Sequence, residues 1–432
     1  MRKYVNVSIV LLIFFVTIGC SSKEIEKTVN DKASENITLD VAIHVANPKG
    51  QEPAFYSIVE RFMEKYPDIK IELKGTEQKA HIKKIKMMAQ SDSLPDIFWV
   101  LPSSAKELAE AGLLLDLRPF LIENPEMVEK LHPNMLDTYS LDGLQFGLPY
   151  QSLVTGIWYN KAIFEKYHLK LPETYDDLKT AVKTLHANNI IPIAKGANDP
   201  YSVWAFLTML SRYGYFEKID SILSGDESYN NEDFLNYYQK IAELRELGAF
   251  PKNVATQSYF QAVQMFLNGE AAMLDAGIWE TKKIEESQIA GDVGFWWGPT
   301  FADGVGNQKI SSIVPAAPLV VNKHVEKDKA KYEAAMKFLG FYFSEEGAAI
   351  MIDNQVAPII KFDGEIDSDL HPVFANVMNV MNDPSWKSKP NQPDLIVSEG
   401  IANAMYDSIY GVINGIYTPE EAIKIVDSKI AR

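Results

Sequence analysis

The chain has 432 residues, of which 42 are basic and 58 acidic, for a formal net charge of −16. Such an acidic surface excludes a nucleic-acid partner, whose phosphates need a basic face, and disfavours contact with anionic lipid. An apolar content of 47% supplies the cores of two or three domains, and a single cysteine, Cys20, forbids an intramolecular disulfide.

The chain opens on a leader. Arg2 and Lys3 form a basic start, Val5 to Ile18 is nearly unbroken apolar sequence, and Gly19-Cys20-Ser21-Ser22 turns small and polar. The run falls short of the ~20 apolar residues that span a bilayer, so residues 1–19 read as a cleaved secretory signal. A cysteine behind a small residue at the cleavage point resembles the lipobox of bacterial lipoproteins, which implies lipidation of Cys20; Thr17 stands where that pattern has Leu. The alternative is an ordinary signal that leaves a free thiol. Residues 20–36 are polar, charged and aperiodic, which predicts a flexible tether.

Folding begins at about Ile37 with a buried strand that ends at Asn47-Pro48-Lys49-Gly50. Tyr56, Val59, Phe62, Met63 and Tyr66 repeat at helical spacing, and Ile69, Ile71 and Leu73 alternate with charged residues as in a half-buried strand. A second helix through Lys79–Gln90 and a buried strand at 96–100 complete a strand-helix-strand-helix-strand order, the pattern of an α/β layer with a largely parallel sheet. Ligands of such sheets bind beyond the carboxyl ends of the strands, here the loops at Asn47, Gly75–Gln78 and Trp99–Ser103. After Tyr159 the chain is mainly helical, with one more buried strand at Pro318–Val321.

Four blocks carry a resemblance. Gly147-Leu148-Pro149-Tyr150 runs on through Tyr159-Asn160-Lys161 to Leu171-Pro172-Glu173-Thr174-Tyr175. Pro95-Asp96-Ile97 precedes Ala111-Gly112-Leu113-Leu114; Phe266-Leu267-Asn268-Gly269-Glu270 leads to Gly277-Ile278-Trp279; and Lys337-Phe338-Leu339 precedes Ser344-Glu345-Glu346. Together they span residues 38–430 and resemble the family 1 extracellular solute-binding proteins, the sugar receptors of ABC importers related to maltose-binding protein. The resemblance implies a two-lobed, periplasmic-binding-protein-like α/β fold with hinge crossings and a ligand cleft between the lobes. It implies a lobe of 38–150 with 300–336, a second of 151–299 with 337–432, a carbohydrate ligand, a membrane permease as partner and a monomer without cofactor or metal. The place of action is then the outer face of the cell membrane, or the periplasm if an outer membrane exists.

A pyranose has an apolar face and a rim of hydroxyls, so its receptor needs flat aromatic surfaces and polar groups. Trp279 falls where the family has a stacking Trp, and Trp99, at a strand's carboxyl end, matches a sugar-lining Trp, although Pro102-Ser103 replace the Asp-Arg pair that follows it in the member compared. Asp199 and Tyr201 resemble the family's acid-Pro-Tyr stretch; Asp199 is equally suited to cap a helix that starts near Pro200. Trp204, one turn on, faces cleft or core. Trp296 and Trp297 precede Gly-Pro and are hard to bury together, so one is expected in the cleft. Asn47, Glu77, Tyr150 and Gln151 are loop positions at the expected mouth. The family's late stacking aromatic is missing near Ser398-Glu399, and Trp386 is the candidate substitute, or else an exposed loop residue.

Catalytic readings find little support. No Gly-x-Ser-x-Gly, His-Glu-x-x-His or phosphate-loop motif occurs, no carboxylate pair is singled out as a glycosidase would require, and the stretch 363–369 lacks the turn glycine and terminal glutamate of a calcium loop. The remaining alternatives are a receptor for a polyamine or peptide, since Trp, Tyr and Asp also cage an amine, and a secreted glycan-acting enzyme.

Overall fold

The computed structural model describes residues 37–430 other than 198–201, 363 and 365. The leader, Cys20, the tether, Asp199 and Tyr201 lie outside the described residues. In chain order the strands are β1 (Ile37–Ile43), β2 (Ile69–Gly75), β3 (Ile97–Trp99), β4 (Ser140–Leu141), β5 (Leu144–Gln145), β6 (Leu148–Pro149), β7 (Ser152–Asn160), β8 (Ile191–Ala194), β9 (Ala271–Gly277), β10 (Val293–Trp296), β11 (Ile310–Ser311), β12 (Ile313–Pro315), β13 (Pro318–Val321) and β14 (Lys387–Ser388).

Two sheets carry the architecture, one ordered β2-β1-β3-β13-β6 and the other β10-β7-β9-β8. In the first, β1 pairs in parallel with β2 and β3, as the alternation of strand and helix predicts. At the edge, β2 buries Ile69 and Ile71 and exposes Lys70 and Glu72, the period of two that one covered face imposes. The late strand β13 inserts antiparallel between β3 and β6. In the second sheet β9 is buried at all seven positions, because helices cover both faces of a central strand.

The sheets are joined by a ribbon. β6 runs through Tyr150-Gln151 into β7, while β12 returns through Ala316-Ala317 into β13. β6 pairs with β13 at the first sheet and β12 with β7 at the second. Between them Ala316 N donates to Gln151 O (3.1 Å) and Tyr150 N to Ala317 O (3.3 Å). One antiparallel ladder therefore passes from lobe to lobe, pinned by a buried Thr155–Ser312 hydroxyl pair at 2.7 Å.

The expected lobe boundary at 336/337 needs correction. It falls inside the helix Lys329–Tyr342, which packs on β1 and on the helix Pro53–Lys65. Phe338 meets Phe62 with ring centroids 5.2 Å apart, and Tyr342 meets Phe55 at 5.4 Å. This aromatic seam holds the helix to the first lobe along its length, and Glu345–Asp353 follows it onto the same surface. The chain rejoins the second lobe with Pro372–Met381, which packs on β10. Among the described residues no helix is long and apolar enough to cross a membrane, and no group of three or more His, Cys, Asp or Glu is placed to hold a metal ion.

Candidate functional site

The carboxyl ends of β1 and β3, with the start of the ribbon, bring together the first-lobe wall. His44 follows β1, Trp99 closes β3, and the two rings stack with centroids 4.0 Å apart and planes 18° apart. Tyr150 meets His44 edge-on at 6.1 Å. Its hydroxyl donates to Glu52 Oε1 at 3.4 Å and accepts from Gln151 Nε2 at 3.0 Å. His81 holds the Trp99 carbonyl through Nε2 at 2.8 Å, which fixes the strand end.

Burial governs the charge of this wall. Glu52, 3.6 Å from His44 Nε2, has its pKa pushed up to about 7 by loss of solvent, against a smaller opposing effect of the Tyr150 hydroxyl. The His44 pKa is lowered to about 4, by burial first and by His81 second. Both groups favour their neutral forms. Trp99 Nε1 and His44 Nδ1 are buried and meet no protein partner, an arrangement that leaves hydrogen-bonding capacity unused.

The second-lobe wall is aromatic. β9 ends at Gly277, and Trp279 folds back over it so closely that a Cβ there would lie 1.9 Å from the indole; only glycine admits that approach. Trp279 is 41% exposed, yet it is fixed. Its Nε1 donates to Tyr259 Oη (2.8 Å), and Tyr259 donates in turn to Glu280 Oε1 (2.8 Å). Trp204, which opens the helix Trp204–Ser211, lies edge-on to Trp279 at 4.9 Å and to Tyr259 at 5.4 Å. Behind this group the buried Lys195–Asp275 pair ties β8 to β9, Lys195 also donates to Ser202 O, and Asp275 Oδ1 accepts from Ala205 N (2.8 Å).

Other predicted residues are placed differently. Asn47 and Glu77 are exposed and cap helices, accepting from Gly50 N (3.2 Å) and Ala80 N (3.4 Å). Trp296 and Trp297 are both buried, at 5% and 2% exposure, against the expectation that they resist joint burial. Alternate residues of a strand point to opposite faces and both faces are covered here: Trp296 enters the core with Tyr213 and Phe301, Trp297 the core with Phe295 and Trp158. Trp386 is half-buried, its ring 5.9 Å from the fully buried Arg212 guanidinium.

The structure thus gathers Trp99, Tyr150 and Gln151 on one wall and Trp204 and Trp279 on the other. His44, Glu52 and Tyr259 were not singled out from the sequence. The available signals were the polar residue directly behind the β1 apolar run and the aromatic directly behind the Ser258 capping box. A cavity of about 520 Å³ opens between the lobes, with Pro102, Ser103 and Lys106 on one side and Leu395–Ser398 on the other, and near it Asn391 Nδ2 donates across to Thr138 Oγ1 at 2.6 Å. None of the predicted aromatics lines that cavity.

Two α/β lobes joined by a crossing ribbon, with aromatic and polar groups at their strand ends, define a receptor of the periplasmic-binding-protein type. The family model described as bacterial extracellular solute-binding protein matches residues 47–349, and the chain belongs to that family, the extracellular receptors of ABC importers. It is similar to an uncharacterized ABC transporter extracellular-binding protein of Pyrococcus horikoshii, 25% identical over 292 residues, which are 65% of this chain and 67% of that protein. It is also similar to the multiple sugar-binding protein of Streptococcus mutans, 21% identical over 78% of this chain and 81% of that one. Among solved structures, a chitin oligosaccharide binding protein shares the fold with a TM-score of 0.77 at 21% identity, over 90% of this chain and 98% of the other.

Proposed function

We propose that this receptor captures a carbohydrate, an oligosaccharide rather than a free hexose, between its lobes and passes it to a membrane permease. The observation that carries this reading is Trp279: an indole presented to solvent at a strand's carboxyl end and held by the Tyr259–Glu280 hydrogen-bond chain. A flat ring prefixed in orientation suits the apolar face of a pyranose and loses little freedom on binding. The Glu52, His44 and Tyr150 groups of the other wall suit its hydroxyls. Trp204, half-buried and edge-on to Trp279 at 4.9 Å, widens that aromatic surface, which favours more than one sugar ring, while Trp99, 4% exposed beneath His44, backs the polar wall rather than offering a face of its own. The sugar-related names of the Streptococcus mutans relative and of the chitin oligosaccharide binding protein support the same ligand class.

Binding closes the lobes about the 150–151 and 316–317 crossings, and the sugar must then prefer the closed form, since equal affinity for both would shift nothing. Lipidation of Cys20 holds the receptor to the membrane by the 20–36 tether. Cys20→Ser is expected to release the protein from the membrane fraction; retention there would remove the anchor from the account. Calorimetric titration of the compact unit Asn36–Arg432 with oligosaccharides and free hexoses tests the ligand. Saturable heat with an oligosaccharide is the expected outcome, and binding of hexoses alone would overturn the oligosaccharide reading.

A further inference from the structure

We propose that Phe260 is an outer subsite, a platform for the sugar ring beyond the one carried by Trp279, so that the ligand runs out of the cleft over the second lobe; this rests on the carbohydrate reading above. Two large aromatic side chains stand exposed among the described residues, Trp279 at 41% and Phe260 at 61%. Both hang on the same scaffold. Tyr259, next to Phe260 in sequence with ring centroids 5.5 Å apart, accepts the Trp279 Nε1 hydrogen bond (2.8 Å) and donates to Glu280 (2.8 Å). Glu280 is held in turn by Lys283 Nζ at 2.8 Å, and the same ammonium lies 5.4 Å from the centroid of the Phe260 ring.

The local sequence explains the outward ring. Ser258 and Gln261 form a reciprocal capping box that starts the helix Tyr259–Leu267, which sends Tyr259 inward at 5% exposure and its neighbour outward. The first turn of that helix is therefore rigid. An apolar ring left in water here gains by being covered, and Phe offers no polar handle, so its contribution is contact with the apolar face of a sugar, tolerant of linkage. The partner is the far end of a bound chain, because Phe260 and Trp279 are the two exposed rings carried by one buried scaffold, Tyr259 and Glu280 at 5% and 1% exposure.

The test is a length series. The folded unit Asn36–Arg432 and its Phe260→Ala and Phe260→Trp forms are titrated with di- to hexasaccharides of the xylo-, cello-, chito- and malto- series. Phe260→Ala is expected to weaken the longest bound member about fivefold while leaving the shortest within about twofold, an effect of the size of one aromatic contact, and Phe260→Trp to restore the longer one. The melting temperature of the free protein should not move. An equal loss at every length, or no loss at any, overturns the subsite. Unchanged affinities with reduced uptake in cells also overturn it and make Phe260 a permease contact. If wild type binds none of the saccharides, the carbohydrate reading fails and the subsite with it, an outcome distinct from a wild type that binds and a variant that does not differ.

Discussion

The two walls solve the same problem with opposite materials. The first-lobe wall is enclosed and titratable: His44 stacks on Trp99, Glu52 lies against His44 and Tyr150, and burial drives both ionisable groups toward neutrality. The second-lobe wall is open and aromatic, with Trp279 in solvent and its ionisable neighbours used as struts behind it. On the proposed reading, polar recognition falls where water is scarce and a hydrogen bond discriminates most, and stacking where a ring can be reached from outside. The first wall should set pH response and hydroxyl choice, and the second should set affinity.

The largest expected effect falls on the struts. Asp275→Ala leaves the Lys195 ammonium buried without its carboxylate and should cost ~3–5 kcal/mol of stability in chemical denaturation; a loss under about 1 kcal/mol would mean the pair is no strut. Trp279→Ala should act on binding instead. Affinity for the cognate ligand should fall at least about tenfold, or ~1.4 kcal/mol, with the free protein melting almost unchanged. If that variant unfolds several degrees earlier without ligand, Trp279 belongs to the core and the contrast between the walls collapses.

Glu52→Gln probes the first wall through pH. The folded-state pKa of Glu52 is raised from 4.5 to about 7, so its favourable contribution is fully present below about 4.5 and is lost as pH rises through about 7. His44, depressed from 6.5 to about 4, runs the other way, contributing above about 6.5 and failing as pH falls toward 4. The melting-temperature advantage of wild type over Glu52→Gln should therefore shrink between about pH 5 and pH 8. A constant difference would show that Glu52 does not titrate in that window. The smallest effect belongs to Asn47→Ala, which removes a cap and should cost about 1 kcal/mol or less with no change in affinity. A clear loss of ligand affinity would return Asn47 to the site.

The fold was legible wherever one period dominated. The β1-to-β3 segment reads as strand and helix in turn because its apolar residues alternate or repeat at helical steps, and the late strand 318–321 stands out as a continuous apolar run. The lobe boundary was not legible, since a helix such as Lys329–Tyr342 shows that it has an apolar face and not which sheet that face meets. Trp279, the residue on which the proposed site rests, stands out in the sequence because a block ends on it. Trp296 and Trp297 misled because covering on both faces of a strand leaves no mark in its residues. His44 and Glu52 are eight positions apart in a loop, and their approach depends on the β1 exit and a short helical turn that no periodicity encodes.

The most direct test of the central claim is a thermal-shift and tryptophan-fluorescence survey of the unit Asn36–Arg432 against oligosaccharides, monosaccharides, amines and peptides. A ligand that binds only the native state must raise its stability, so the account predicts a saturable rise in melting temperature with an oligosaccharide, accompanied by a change in Trp emission. A rise with amines or peptides alone, or a sugar recovered cleaved while the protein is unshifted, would contradict it.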